Sequence, residues 1–333
     1  MEKITFNSLV VEETQKNQFT RRIAQRSTDD LPDGDILIKV HFSSLNYKDA
    51  LSATGNRGVT KNYPHTPGID AAGVVISSKK GDFAKGDEVL ITGYDLGMNT
   101  SGGFGEYVRV PADWVVKLPK GMTLKESMIL GTAGFTAGMS VFRVIQDITP
   151  QDGEILVTGA TGGVGSIAVS LLSKLGYNVV AVSGKKDASD FLKKIGAKDI
   201  ISREDAADKS GRPVLKSRWA GVVDTVGGEI LATAIKSALP WSVVTCCGMV
   251  ASADLNINVF PFILRGVKLF GIDSQNCPMD HRLQIWRLFS DEWSLSYPDG
   301  FCQEITLNEL EHNIALILKG MQQGRVVVHH NHN

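Results

Sequence analysis

The sequence predicts an α/β chain in which a doubly wound parallel sheet is inserted in a partly open β-barrel domain. Three observations predict it. Residues 1 to about 125 read as short strands between Gly and Pro turns. From Leu124 onward, apolar strands alternate with helical patterns. Strand character then returns near the C-terminus, so the second domain interrupts the first. The boundaries implied are 1–125 with 297–333 for the outer domain and 126–296 for the inner one.

The outer domain is expected to hold strands at Ile36–Val40, Ala72–Ile76, Glu88–Ile91, Tyr107–Val110 and Trp114–Lys117, with turns at Pro32–Gly34 and Gly86–Asp87. An apolar helix is expected from Lys125 to about Gln146. Inner strands follow at Ile155–Val157, Val179–Val182, Asp199–Ser202, Ala220–Asp224, Val243–Cys247 and Lys268–Ile272. That alternation describes a parallel, doubly wound sheet. A helix at Asp280–Trp293, a strand at Glu304–Leu307, a helix at Asn308–Gly320 and a strand at Arg325–Val328 complete the chain. There is no internal repeat and no low-complexity linker.

Residues 154–186 carry the most chemistry. The apolar run Ile155–Val157 stops at a turn in which Gly159, Gly162 and Gly165 recur at a spacing of three. Ile167, Leu171, Leu172 and Leu175 follow at helical spacing, and Gly176 stands where a helix end favours φ > 0. A strand, a Gly-rich turn and a helix N-terminus present backbone N–H groups to a pyrophosphate. The strand–turn–helix–strand context makes this more than a chance spacing of glycines.

The end of the next strand selects the dinucleotide. An NAD site places an acid there for the ribose 2′-hydroxyl; an NADP site avoids it and offers cations. This chain reads Val182-Ser183-Gly184-Lys185-Lys186, with no acid before Asp187. The expected cofactor is NADP(H).

Composition bounds the remaining possibilities. The 333 residues suggest two domains, and 43% hydrophobic with 21% charged residues is ordinary for a globular chain. A formal net charge of −1 provides no field for nucleic acid or an anionic membrane. No run is read as a membrane span, and MEKITFNSLVVEE lacks the layout of a secretory signal, so cytoplasm is the expected compartment. The four cysteines fit a reducing compartment, with Cys246 and Cys247 on opposite faces of a strand. The tail His329-His330-Asn331-His332 reads as a frayed polar end.

Longer motifs carry a resemblance. PGIDAAGVV (67–75), KGDEVLITG (85–93), GGFGEYVRVP (102–111), GTAGFTA (131–137), TGATGGVGS (158–166) and VVDTVGG (222–228) resemble the medium-chain dehydrogenase/reductase superfamily over nearly the whole chain. SSLNYKDAL (43–51), VSGK (182–185), PFILRGVKLFGIDS (261–274) and GRVVV (324–328) are similar to its acrylyl-CoA reductase branch, whose members are also described as quinone oxidoreductases. The resemblance implies a Rossmann domain inserted in a GroES-like domain. Zinc enzymes of the superfamily place a Cys at the segment of Asn46, a His at Ile69 and a Cys near Thr132; those residues are missing here, and Gly93–Glu106 contains no Cys. A zinc-free member is therefore expected.

The resemblance also assigns roles. Thr161, Gly162, Gly163 and Val164 line the pyrophosphate; Ser183, Gly184 and Lys185 meet the 2′-phosphate, with Arg203 as a further cation. Met249, Ile263 and Ser274 fall in segments of the nicotinamide-side walls, and Arg325 is a further cofactor contact. Asn46 and Tyr47 lie on a loop facing the nicotinamide as catalytic candidates, Tyr47 also as a cofactor contact. Asp49 and Asp70 hold loops by hydrogen bonds. Lys48, Arg57 and Lys61 are basic residues placed to meet a CoA tail. The expected reaction is hydride addition to the β-carbon of a short 2-enoyl thioester such as acrylyl-CoA, with a proton from Tyr47 or water at the α-carbon. Two alternatives stay open: a broad quinone or enone reductase, and a non-catalytic NADPH-binding protein. The expected partners are a small-molecule substrate and a second copy of the chain, paired through the apolar strand Val267–Ile272, with no nucleic acid and no membrane.

Overall fold

The structure is a computed structural model that describes residues 3–331, and of Lys186 the main chain alone. In chain order its strands and helices are β1 (Thr5–Gln15), β2 (Gln18–Ser27), β3 (Ile36–Ser44), α1 (Tyr47–Ala53), β4 (Asp70–Ser78), β5 (Glu88–Thr92), β6 (Tyr107–Val110), β7 (Val116–Lys117) and α2 (Leu124–Ile145). Then come β8 (Glu154–Val157), α3 (Gly163–Lys174), β9 (Asn178–Val182), α4 (Ser189–Lys194), β10 (Asp199–Ile201), β11 (Trp219–Asp224), α5 (Gly228–Lys236) and β12 (Ala238–Cys246). The chain closes with α6 (Phe260–Arg265), β13 (Lys268–Gly271), α7 (Met279–Ser290), β14 (Cys302–Ile305), α8 (Leu310–Leu318) and β15 (Arg325–His329). They form two compact units. One holds the residues up to 132, 275–290 and those from 302 onward; the other holds 133–274 and 291–301.

The first unit carries a sheet in the order β14-β15-β3-β4-β5-β7, with β6 paired to β3. All its pairings are antiparallel except β14 with β15. Alternation places the side chains. Ile36, Ile38 and Val40 of β3 face a core shared with Ala71, Val75, Val89 and Ile91. Leu37, one position out of phase, meets Phe6 and Leu31 on the opposite face. A hairpin of β1 and β2 forms a separate two-stranded sheet.

The second unit is a parallel sheet in the order β10-β9-β8-β11-β12-β13. This is the doubly wound order, with its switch between β8 and β11. Its strands are short apolar runs because both faces are covered. Leu156, Val180, Val182, Val222 and Val244 pack with Leu231 and Ile235 of α5 in one core.

Several expectations change. The β1–β2 hairpin, α1 and α6 were not expected as separate elements. The strand expected over Trp114–Lys117 shortens to β7, because a 3-10 turn after Pro111 takes up Ala112–Trp114. The helix expected to reach Trp293 ends at Ser290. The expected frayed tail is ordered at His330, which is 2% exposed; its Nε2 lies 2.8 Å from the Gly103 carbonyl and its N–H donates to His41. His332 of that tail lies outside the described residues. Finally, α2 is long and apolar enough to cross a membrane, contrary to the expectation of no such run, yet 72% of its apolar window is buried within the fold.

Candidate active site

The Gly-rich turn is built as a cradle. Gly159 takes φ +58°, and a Cβ there would overlap the Thr225 hydroxyl. A Cβ on Gly165 would overlap the Gly159 carbonyl, so the helix approaches its own turn only through glycine. Gly162 caps α3 without a side chain, and Gly163 opens it. Thr161 is buried beneath, while Gly162, Gly163 and Val164 are half-exposed. The first N–H groups of a helix have no partner inside it, so this end is electropositive.

The end of β9 carries the cations. Ser183 donates its N–H to Ile201, and its hydroxyl accepts from the Lys185 N–H at 3.0 Å. Arg203 lies just past β10, in a turn closed by the Ser202 hydroxyl donating to Asp205 at 2.8 Å. Its guanidinium lies over Gly184, with Nε 2.7 Å from where a Cβ would stand. Burial and the neighbouring Arg203 both push the Lys185 ammonium below its ordinary range. Two cations held this closely favour an anion between them. The side chain of Lys186 lies outside the described atoms.

In the first unit, Asn46 and Tyr47 occupy a helix start rather than the expected loop. Asn46 is the N-cap of α1 and Tyr47 its first residue. Asp49 at N3 returns the capping box by accepting from the Asn46 N–H at 2.8 Å. Tyr47 is 40% exposed, whereas Asn46 is 8% exposed and turned inward. Asn46 Nδ2 donates to Asp70 at 2.7 Å and to Asp49 at 3.3 Å, and its Oδ1 accepts from Arg325 at 3.3 Å. Asp70 also accepts from Ser44 Oγ at 2.5 Å and from the Thr132 N–H and hydroxyl. Asp49 and Asp70 thus hold the local chain by hydrogen bonds.

Arg325 is an internal brace. It is 2% exposed and donates to the carbonyls of Ile129 at 2.8 Å and Leu45 at 3.4 Å, as well as to Asn46. Gly131, at φ 52° and ψ −155°, kinks α2 beside it. A Cβ there would overlap the Asp70 carboxylate and the Ser44 hydroxyl. The motif GTAGFTA contained this glycine, but nothing in its spacing marks a kink.

The remaining candidates are placed separately. Met249 follows β12 and Ile263 lies on α6; they are 68% and 69% exposed. Ser274 follows β13 and accepts from the Thr136 hydroxyl at 2.8 Å. Lys48 donates to Gln275 Oε1 at 2.6 Å. Arg57 is paired with Glu13 and lies over the rings of Phe19 and Tyr63, so this residue braces the hairpin instead of waiting for a phosphate.

Residues 32–120 match the alcohol dehydrogenase GroES-like domain family, and residues 163–290 match the zinc-binding dehydrogenase family. The acrylyl-CoA reductase AcuI of Ruegeria pomeroyi is 40% identical over 97% of this chain and 98% of its own. The chain belongs to the medium-chain dehydrogenase/reductase superfamily. Within it, the chain is also 46% identical to a Bacillus subtilis protein provisionally named quinone oxidoreductase YhfP, over 91% of this chain and 92% of that one. The crystal structure of YhfP, with NAD bound, superposes with a TM-score of 0.93 over 98% of this chain and 100% of that one, at 44% identity. Escherichia coli YhdH with bound NADPH gives 0.93 over 97% and 100%, at 42% identity.

The three positions that the resemblance matches to zinc ligands hold Asn46, Ile69 and Thr132. Ile69 has no ligand atom, and the side chains of Asn46 and Thr132 donate to Asp70. Among the described residues, no three His, Cys, Asp or Glu side chains form a metal-binding group.

Proposed function

We propose that this superfamily member reduces the C=C bond of a short 2-enoyl-CoA with NADPH, acrylyl-CoA to propionyl-CoA in particular. The observation that carries the cofactor half is the Lys185–Arg203 cation pair beside Gly184, where an acid would repel a 2′-phosphate. The substrate half is supported by the likeness to AcuI over nearly its whole length. The glycine cradle at Gly159 and Gly165 fits a pyrophosphate approaching the backbone.

NADPH, when bound, supplies a hydride for the β-carbon of the enoyl group. Thr161, Gly162, Gly163 and Val164 hold the pyrophosphate; Ser183, Gly184, Lys185 and Arg203 hold the 2′-phosphate. Met249, Ile263 and Ser274 border the nicotinamide. Tyr47, exposed at the start of α1, is the donor that stabilises the thioester enolate and delivers the α-carbon proton in this reading. Asn46 and Arg325 position that helix start from within.

The quinone or enone reading is favoured by the likeness to YhfP. Isotopes decide the chemistry. Turnover with NADPH deuterated at C4 is expected to place one deuterium at the β-carbon of propionyl-CoA and a solvent proton at the α-carbon. Recovery of unlabelled acrylyl-CoA would contradict the proposal.

Assembly as a homodimer is part of the same proposal. β13 is the last strand of its sheet, Leu269 on it is 36% exposed, and Phe260, Ile263 and Leu264 on the neighbouring α6 are more exposed. An apolar edge of this kind is ordinarily covered.

A further inference from the structure

The geometry points to Asp49 as a positioning residue that acts in its protonated form: it shares the Asn46 carboxamide with Asp70, fixes the start of α1 that carries Tyr47, and loosens that start when it loses its proton. The inference rests on the proposed role of Tyr47 for its kinetic test alone.

Asp49 and Asp70 are both 0% exposed, and one amide nitrogen, Asn46 Nδ2, donates to both. The Arg325 guanidinium holds the other end of the Asn46 amide. Two buried carboxylates that share one amide repel each other when both are ionised, and a buried site resolves this by retaining a proton.

Which carboxyl retains it follows from the donors. Asp70 accepts from Ser44, Asn46 and both groups of Thr132, surroundings that suit a carboxylate. Asp49 accepts from the Ile69 and Asn46 N–H groups, both at 2.8 Å, and only distantly from Asn46 Nδ2. Burial first, and the Asp70 charge second, push the Asp49 carboxyl up to about 7 against those hydrogen bonds.

The groups facing it from other elements do not reverse this. β4 presents Asp70 and β15 presents Arg325. The helix α8 meets Ala50 and Ala53 of α1 with Leu310 and Ile314, and its Glu311 is paired with Arg21. His65 contacts the Gly97 carbonyl that also accepts from Ser52 of α1, and burial pushes its imidazole down toward neutrality.

The consequence is directional. Protonated, Asp49 sits beside Asp70 without like-charge repulsion, although the Ile69 and Asn46 N–H groups it accepts from favour the carboxylate. Ionised, it repels Asp70 across the Asn46 amide, and the residue that yields is the N-cap next to Tyr47.

Two measurements test this. Carbon NMR of wild-type protein labelled at aspartate carboxyls is expected to show one buried aspartate titrating near 7, absent in Asp49→Asn. No aspartate titrating between about pH 6 and 8 would overturn the inference without any variant having to fold. Wild-type kcat is expected to fall about tenfold between pH 6 and 8, the change in the protonated fraction of a group titrating at about 7, and Asp49→Asn to be flat across that range. A tenfold fall retained in Asp49→Asn would overturn it. If acrylyl-CoA is not a substrate, the proposed function fails, while the carbon titration still decides the state of Asp49.

Discussion

Arg203 stands close enough to Lys185 to disfavour the ammonium's charge, an arrangement that becomes favourable once a dianion lies between them. Charge-assisted hydrogen bonds contribute about 1.5–3 kcal/mol each, so Lys185→Ala and Arg203→Ala are each expected to raise the Kd for NADPH by about 10- to 100-fold. The Kd for NADH, which lacks the 2′-phosphate, is expected to change little. Isothermal titration with both nucleotides checks this, and equal losses for the two would place the cations elsewhere. The missing acid and the lysines were legible in the sequence. The meeting of Arg203 with Gly184 was only half so, because it depends on the parallel pairing of β9 with β10, which places residue 201 opposite 182. Arg325 shows the opposite limit. Its type and position suggested a ligand contact, but a sequence cannot show that Ile129, Leu45 and Asn46 receive its protons.

Among elements, α2 shows what periodicity conveys and what it hides. Its apolar pattern announced a helix from about 125 to 146, and the helix spans Leu124–Ile145. The kink at Gly131 was invisible, because it comes from packing against Asp70, Ser44 and Arg325, residues distant in sequence. Gly131→Ala must hold an alanine at positive φ and displace the Asp70 carboxylate, a strain of at least about 1 kcal/mol. A lower midpoint in urea, with an unchanged slope, is expected. A wild-type midpoint would mean that the kink relaxes without cost. The helix α3 was legible down to its end, since Gly176 takes φ +86° just past its last turn. The short helices α1 and α6 were not, because six or seven residues carry too little periodicity to distinguish a helix from a loop.

For the whole molecule, the alternation of strand and helix specified a parallel, doubly wound sheet, its strand order coming from the structure alone, and the return of strand character after residue 300 announced that the chain comes back to the first sheet as β14 and β15. The hairpin β1–β2 escaped because its second strand, QFTRRIAQRS, is mostly polar and exposed. The exposed edge at β13 makes assembly testable. Leu269→Asp places a charge on a face proposed to be buried, and light scattering is expected to show a dimer for the wild type and a monomer for the variant. A wild-type monomer at micromolar concentration would contradict the homodimer.

The most direct test of the central claim is kcat/KM with NADPH for acrylyl-CoA against a small quinone. Acrylyl-CoA is expected to be preferred by orders of magnitude. Faster turnover of the quinone would contradict it, and would move the function to the broad enone class while leaving the cofactor site as described.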